Sequence, residues 1–210
     1  SIHVDIIKMG TLIEKTIEET IRALVEQDIP LAKKIREGDD RFDQMEVEIE
    51  KKCISLIARQ QPVATDLRIV TSILKIVTDL ERIADHCQDI SKLTLDLAGK
   101  AYVKPLVDIP QMAKEVRAMV RMTIDAYIDL DVEKSKQVCA NDDIVDKYYY
   151  TIVNDLEMIM KEKPNDIKQC VDFLLIAKYL ERMADHTTNI AEWVIYSVQG
   201  KRFDGNNGYA

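Results

Sequence analysis

Glycine, proline and cysteine are scarce in this chain of 210 residues, and long apolar runs and basic clusters are missing from it. It contains 6 Gly, 5 Pro and 4 Cys, beside 47% hydrophobic and 31% charged residues. This composition is typical of a helix-rich soluble protein, and its content of Leu, Ile and Val argues against disorder. The cysteines follow no CxxC spacing, so we expect them to be small, buried side chains in a reducing compartment.

The missing apolar and basic segments exclude several locations and partners. No stretch approaches the roughly 18 apolar residues of a membrane-spanning helix, and SIHVDIIKMG at the start lacks the basic and apolar regions of a secretory signal. The formal net charge is −8, divided evenly between residues 1–100 and 101–210. We therefore expect a cytoplasmic protein that does not bind nucleic acid.

Motifs of common enzyme classes are missing as well. The chain has no P-loop, GxGxxG, GxSxG or HExxH motif. It also has no Glu-x-x-His, which disfavours an oxygen-activating di-iron enzyme built on a four-helix bundle. We expect a protein that is not an enzyme.

Apolar residues recur every three or four positions almost throughout, which predicts an all-α protein. The same order of helices is predicted twice: a long helix, a short one, a third helix and a long fourth one. The predicted ranges are 5–27, 31–37, 40–60 and 65–97, then 110–128, 132–140, 142–161 and 166–198.

The two halves of the chain align with each other. The offset is 103 residues between Asp28 and Asp131, and 100 residues between LERIADH (80–86) and LERMADH (180–186). The loop between the third and fourth helices is therefore three residues shorter in the second half. We interpret the chain as a duplicated helical bundle. The predicted parts are a first unit at 1–101, a joint at 102–105, a second unit at 106–204 and a tail at 205–210.

Each LER motif carries a Glu and an Asp at positions i and i+4, one turn apart on one helix face. The third helix of each unit adds two aspartates at the same spacing. If these helices run antiparallel, each unit brings four carboxylates together, and their mutual repulsion favours a bound hard cation such as Mg²⁺, Ca²⁺, Mn²⁺ or iron. The eight acids are Asp39, Asp43, Glu81, Asp85, Asp142, Asp146, Glu181 and Asp185.

Three features of the sequence would account for these acids without a metal. A chain with 37 acids contains several such pairs by chance. Asp39 and Asp142 stand at predicted helix starts, where capping and the helix dipole favour an acid. Arg82 and Arg182 follow the motif glutamates and offer neutralisation by a side chain. The recurrence of both acid pairs in both halves favours the metal.

Two further positions follow the motifs. Asp89 extends the acidic row by one turn in the first half, and Asn189 does so in the second. His86 and His186 point about 100° away from the aspartates that precede them. We expect these histidines to support the structure or a ligand rather than to bind metal directly.

The segments DDRFDQMEVEI, RQQPVATDLR, DLERIADH and AKYLERMADHTTNIAEWVIY resemble the PhoU family, and the resemblance covers nearly the whole chain with its duplication. Paired E(D)xxxD motifs are the signature of that family. The resemblance implies an all-α fold of two tandem, pseudo-symmetric three-helix bundles with long helices. It also implies a non-enzymatic negative regulator of phosphate uptake and of the phosphate-starvation response. Such a regulator links the ATPase subunit of the phosphate transporter to a sensor histidine kinase.

The resemblance also implies metal on the paired motifs, as an iron cluster or as Zn, Mn, Mg or Ca ions. Asp89 and Asn189 would be additional ligands, and because one is an acid and the other an amide, the two sites are expected to differ in charge and occupancy. A homodimer that meets the membrane only peripherally, through its partners, is expected. Two alternatives remain: a metal-dependent phosphohydrolase that uses the same carboxylates, and a structural helical protein whose acids are solvated.

Overall fold

The computed structural model describes residues 1–38, 40–204 and 208–209, and this part of the chain is almost entirely helical. The long helices and their repeated order confirm the predicted all-α fold. A 3₁₀ turn, Pro164–Asp166, precedes the last helix. The helices are α1 (Ile2–Glu26), α2 (Ile29–Glu37), α3 (Asp40–Gln60), α4 (Thr65–Leu97), α5 (Asp108–Asp129), α6 (Val132–Glu162) and α7 (Ile167–Gln199).

The corner after the first helix of each repeat has the same geometry in both halves. Asp28 and Asp131 are the N-caps of α2 and α6, and each carboxylate accepts the backbone N–H three residues ahead at 3.0 Å. The preceding residues, Gln27 and Leu130, both adopt the left-handed conformation, with φ of 52° and 51°. The alignment of the two halves at Asp28 and Asp131 is thus confirmed.

The second half departs from the prediction at one point. We expected separate helices at 132–140 and 142–161, but α6 is continuous from Val132 to Glu162. At the matching position of the first half, Gly38 ends α2 with φ −87° and ψ 21°. Glycine costs about 0.5–1 kcal/mol in a helix interior relative to alanine. Asn141 is a better helix former than glycine, so the helix runs through it. Asp142 therefore lies inside a helix and caps nothing.

Two antiparallel helix pairs lie between the repeats. α4 packs along α7, and α1 packs along α5. Gly10 on α1 lies directly against Ile124 on α5, because a Cβ at Gly10 would be 2.6 Å from Ile124 Cγ1. The repeat-related pair, Ile21 and Ala113, borders a groove between the same two helices. The motif leucines Leu80 and Leu180 are both fully buried. The two bundles therefore share one apolar core.

None of the helices in the described part of the chain combines the length and the apolar character needed to cross a membrane. All four cysteines are free thiols. Cys53, Cys87 and Cys170 are buried and Cys139 is partly buried, in agreement with the predicted burial. Burial raises the pKa of the Cys87 thiol to about 12, so this side chain stays protonated at neutral pH.

A short hairpin beyond α7 was not predicted. β1 (Phe203–Asp204) pairs antiparallel with β2 (Gly208–Tyr209). The predicted tail at 205–210 falls partly on residues 205–207 and 210, which lie outside the described residues. The metal ligand predicted at Asp39 also lies outside them.

Candidate functional site

The first repeat brings carboxylates of α3 and α4 together. Asp43 stands in the first turn of α3, and Glu81 and Asp85 stand one turn apart in the middle of α4. One carboxylate oxygen of each lies within 4.8 Å of the other two. The antiparallel arrangement of the third and fourth helices, on which the prediction depended, therefore holds for this repeat.

A fourth acid, Glu46, joins this group and was missed from the sequence. It lies one turn beyond Asp43, and its Oε1 accepts a 2.9 Å hydrogen bond from the Thr78 hydroxyl on α4. Burial raises its pKa, and the nearby charges of Glu50 and Asp43 add to the effect. Its spacing from Asp43 is i+3, which also places two side chains on one helix face. We define the first cluster as Asp43, Glu46, Glu81 and Asp85.

The first cluster is electrostatically strained although it has a neighbouring cation. Glu81 is only 8% exposed. Burial raises the pKa of Glu81 to about 8, and a hydrogen bond with Asp85 and the charges of Asp85 and Glu46 act in the same direction. Arg82 lies 3.2 Å from Asp85 and 3.7 Å from Glu81, but its side chain is 58% exposed. A cation in solvent screens this cluster only in part.

The second repeat brings acids of α6 and α7 near one another, but among the described residues no three of them have carboxylate oxygens within 4.8 Å of one another, as three acids do in the first repeat. We define the second cluster as Asp142, Asp146, Glu181 and Asp185. Burial raises the pKa of Asp142 to about 7, and the charges of Asp146, Asp185 and Glu181 contribute further. Burial and the charges of Glu181 and Asp146 likewise raise the pKa of Asp185 to about 6. All four predicted acids of this repeat therefore lie near one another.

Two buried oxygens of this second cluster, Asp142 Oδ1 and Glu181 Oε2, lack a well-aligned hydrogen-bond donor in the described residues, and Glu181 Oε2 has a cation beside it. Asp142 Oδ1 is buried, and no hydrogen-bond donor reaches it from the residues that the structure describes. A buried carboxylate oxygen without a donor is costly. Protonation or a bound cation would relieve that cost. The position thus fits a metal ligand, and it excludes the capping role that the sequence suggested for Asp142.

The second cluster contains its own cation, Lys178, which the sequence analysis did not single out. Its Nζ lies 2.7 Å from Glu181 Oε2 and 5.2 Å from the centre of the Tyr149 ring. The hydrogen bond with Glu181 raises the pKa of Lys178. Arg182, which was expected to neutralise these acids, makes no ion pair within the described ranges. The cation that contacts the cluster is therefore Lys178.

The remaining predicted residues lie at the contact between the two repeats. His86 Nδ1 lies 3.2 Å from Asp89 Oδ2, and His186 Nδ1 lies 2.8 Å from Asp79 Oδ1. The two imidazole rings are 5.6 Å apart, and Asn189 Nδ2 lies 3.5 Å from the same Asp79 oxygen. Asp89 is not one of the three acids grouped within 4.8 Å in the described residues. The histidines thus join α4 to α7.

The donor sets of both clusters suit a hard cation. Every predicted ligand in them is a carboxylate, and oxygen-only sets favour Mg²⁺, Ca²⁺ or Mn²⁺ and also suit iron. The raised pKa values and the unpartnered Asp142 oxygen are the features that a positive ion would stabilise. The residues present therefore fit a metal.

Comparisons with known proteins agree with this architecture. The PhoU domain model matches residues 6–94 and 109–194, once in each repeat. The phosphate-specific transport system accessory protein PhoU homolog of Clostridium acetobutylicum is 42% identical over 98% of this chain and 94% of its own length. This relative is named as an accessory protein, not as an enzyme, which agrees with our prediction for this chain.

Solved structures show the same fold. The crystal structure of PhoU from Pseudomonas aeruginosa matches with a TM-score of 0.90 and 35% identity, covering 95% of this chain and 96% of that one. The phosphate transport system regulatory protein PhoU from Streptococcus pneumoniae matches with a TM-score of 0.90 and 29% identity, covering 97% and 96%. The family matches in both repeats, together with these likenesses, show that the chain belongs to the PhoU family.

Proposed function

We propose that this protein is a regulator of phosphate uptake that acts in the cytoplasm. The observation that carries the proposal is the match of the PhoU domain to both repeats. Full-length relatives named as accessory or regulatory proteins of the phosphate transport system support it. In our proposal the protein restrains the transporter and the phosphate-starvation response when phosphate is plentiful.

The proposed mode of action is that of an adaptor. It would couple the ATPase subunit of the phosphate transporter to a sensor histidine kinase, so that uptake and gene expression respond together. The resemblance of the motifs to the PhoU family supports these two partners. Contact with the membrane would be peripheral and would pass through the partners. A homodimer is part of the same proposal, and light scattering of the purified protein tests it.

The clusters are proposed to hold metal ions. Carboxylates with raised pKa values lie together in each repeat, and a bound cation would stabilise their charged forms. Asp39, Asp89 and Asn189 are further ligands in this proposal. Asp89 and Asn189 would have to leave their contacts with His86 and Asp79 at the junction of the repeats to bind the ion. Metal would then rigidify the contact between the third and fourth helices of each repeat and shape the surface that partners meet.

The regulatory role is tested by deleting the gene in its host. In phosphate-replete medium we expect phosphate uptake and alkaline phosphatase to rise, and the wild-type gene to restore repression. Unchanged uptake and phosphatase in the deletion strain would refute the proposed regulation.

The metal is tested by elemental analysis of protein purified without a histidine tag or chelator. We expect stoichiometric metal in the wild type and little in a variant that replaces the four motif acids with alanine and keeps its helical spectrum. The matched control replaces four exposed acids away from the clusters. No metal in the wild type would favour a purely structural role for the acids. The four motif acids are Glu81, Asp85, Glu181 and Asp185.

A further inference from the structure

One pair of facing positions differs between the two clusters, and both members differ together. In the first repeat, Glu46 on α3 faces Thr78 on α4 across a 2.9 Å hydrogen bond. By the offsets of 103 and 100 residues, their counterparts are Tyr149 on α6 and Lys178 on α7. These two also touch, with the ammonium 5.2 Å from the ring centre. A carboxylate with a hydroxyl has thus been exchanged for an aromatic ring with an ammonium.

The exchange changes the charge of each cluster in opposite directions. Glu46 adds a carboxylate to the first cluster, and its charge reaches Glu81. Lys178 adds a positive charge to the second cluster, 2.7 Å from Glu181. The face of Tyr149 attracts the ammonium and helps to hold it beside the carboxylates. Arg82 pairs with Asp85 and Glu81 beside the first cluster, whereas Arg182 makes no ion pair in the described ranges. Even with Arg82 in place, one oxygen each of Asp43, Glu81 and Asp85 lie within 4.8 Å of one another, so the first cluster keeps a group of carboxylates that a free cation could join.

The structure therefore assigns different cations to the two clusters. We propose that Lys178 is a built-in counter-ion for the second cluster, whereas the first cluster, which has Glu46 and Thr78 at the corresponding positions, takes up a free divalent cation more tightly. The first-cluster half of this inference rests on the proposed metal binding. Metal enters the second cluster only when it displaces the Lys178 ammonium from Glu181.

The ammonium in the second cluster is an observation independent of the acids themselves. The Lys178 ammonium lies 2.7 Å from Glu181, which shows that the carboxylates of this cluster stabilise a positive charge. Asp142 Oδ1, buried and without a hydrogen-bond donor in the described part of the chain, shows that the lysine does not satisfy the whole cluster. A divalent ion that displaces the ammonium therefore still finds carboxylate oxygens to bind, and the cost of that displacement makes its binding weaker than at the first cluster.

Swapping the pair between the repeats tests the inference. The Tyr149→Glu/Lys178→Thr variant gives the second cluster the chemistry of the first, and Glu46→Tyr/Thr78→Lys does the reverse. Equilibrium binding of Mn²⁺ to the full chain is the measurement. We expect the first variant to bind Mn²⁺ at the second cluster at least tenfold more tightly than the wild type. We expect the second variant to lose at least tenfold in affinity at the first cluster.

A second measurement tests the counter-ion without metal. In chelator at pH 8 and low salt, Lys178→Thr should lower Tm by about 2–4 °C, the shift expected for loss of one partly buried ion pair in a protein of this size. Lys92→Thr, which removes an exposed lysine from α4, is the control and should leave Tm unchanged. Equal Tm values for these two variants would overturn the counter-ion role.

The outcomes separate this inference from the proposed function. Mn²⁺ binding by the wild type that neither swapped variant changes would overturn the inference and leave the metal proposal standing. Absence of Mn²⁺ from the wild type and both variants would overturn the metal proposal and the first-cluster half of the inference. A lower Tm of Lys178→Thr would in that case still support the counter-ion.

Discussion

Gly38 ends a short helix in the first repeat, whereas Asn141, its counterpart in the second, lies inside the continuous α6. The acidic clusters that follow these positions lie on corresponding helices in the two repeats, but they differ at single residues. Glu46 lies in one and Lys178 in the other. A duplicated bundle thus keeps its apolar core while its polar face diverges, because packing constrains the core positions more tightly than the solvent-facing ones.

The core is where the repeats should respond alike. Leu80 and Leu180 are the first residues of the two motifs, and both are fully buried. Replacing either with alanine removes a buried side chain and leaves a cavity, which costs about 2–5 kcal/mol in the free energy of unfolding. Urea unfolding of Leu80→Ala and Leu180→Ala should give losses in this range. A loss below about 1 kcal/mol for only one of the two variants would contradict the claim that the two leucines occupy equivalent positions in the core.

The clusters should make the metal-free protein less stable as pH rises. The pKa values of Glu81, Asp142 and Asp185 are raised to about 8, 7 and 6 by burial first and by neighbouring acids second. Between the unfolded values near 4 and these folded values, the folded state binds more protons, so stability present at low pH is lost as pH rises. In chelator, Tm should fall by a few degrees between pH 5.5 and pH 8.5.

Variants that remove one titrating acid from each repeat allow the pH dependence of the two clusters to be compared. Glu81→Gln should remove a loss that continues up to about pH 8, and Asp142→Asn a loss that ends near pH 7, because each removes one titrating group. Saturating Mn²⁺ should flatten the profile of the wild type. Stability that rises over this range in chelator would contradict the assignment of strained carboxylates.

The helix break should give the smallest difference. At position 141, inside α6, alanine should be more stabilising than glycine by about 0.5–1 kcal/mol. At position 38 the order should reverse, because a Cβ on Gly38 would lie 2.9 Å from the Lys34 carbonyl oxygen. Urea unfolding of Gly38→Ala, Asn141→Ala and Asn141→Gly measures both. Stabilisation by alanine at both positions would mean that the break is not held by Gly38.

The sequence was sufficient for most of the helices. Apolar periodicity, with proline or glycine near the helix ends, placed Thr65–Leu97 as observed, but it predicted eight helices where the described residues form the seven helices α1 to α7. It was misleading around Asn141, because alignment with Gly38 suggested a break that the local residues Ala140 and Asp142 do not require. Helix propensity, and not the repeat, decides that position.

The candidate site could be predicted only in part, for a different reason. The i, i+4 acid pairs recur within single helices, so they are visible in the sequence. Glu46 contacts Thr78, and Lys178 contacts Tyr149, across two helices, so these partners follow from which turns of α3 and α4, or α6 and α7, face each other. The ion pair of Lys178 with Glu181 has i, i+3 spacing within α7 and was overlooked in the sequence. These positions also differ between the repeats, so a search for repeated acids passes over them.

The central claim is that the first cluster binds a divalent cation more tightly than the second. Counting tight Mn²⁺ sites in two matched variants, Glu81→Ala/Asp85→Ala and Glu181→Ala/Asp185→Ala, tests it most directly. Equilibrium dialysis at limiting Mn²⁺ should show that the first variant loses the tight site and that the second retains it, because Lys178 already serves the second cluster. Equal loss of tight Mn²⁺ in the two variants would contradict the account.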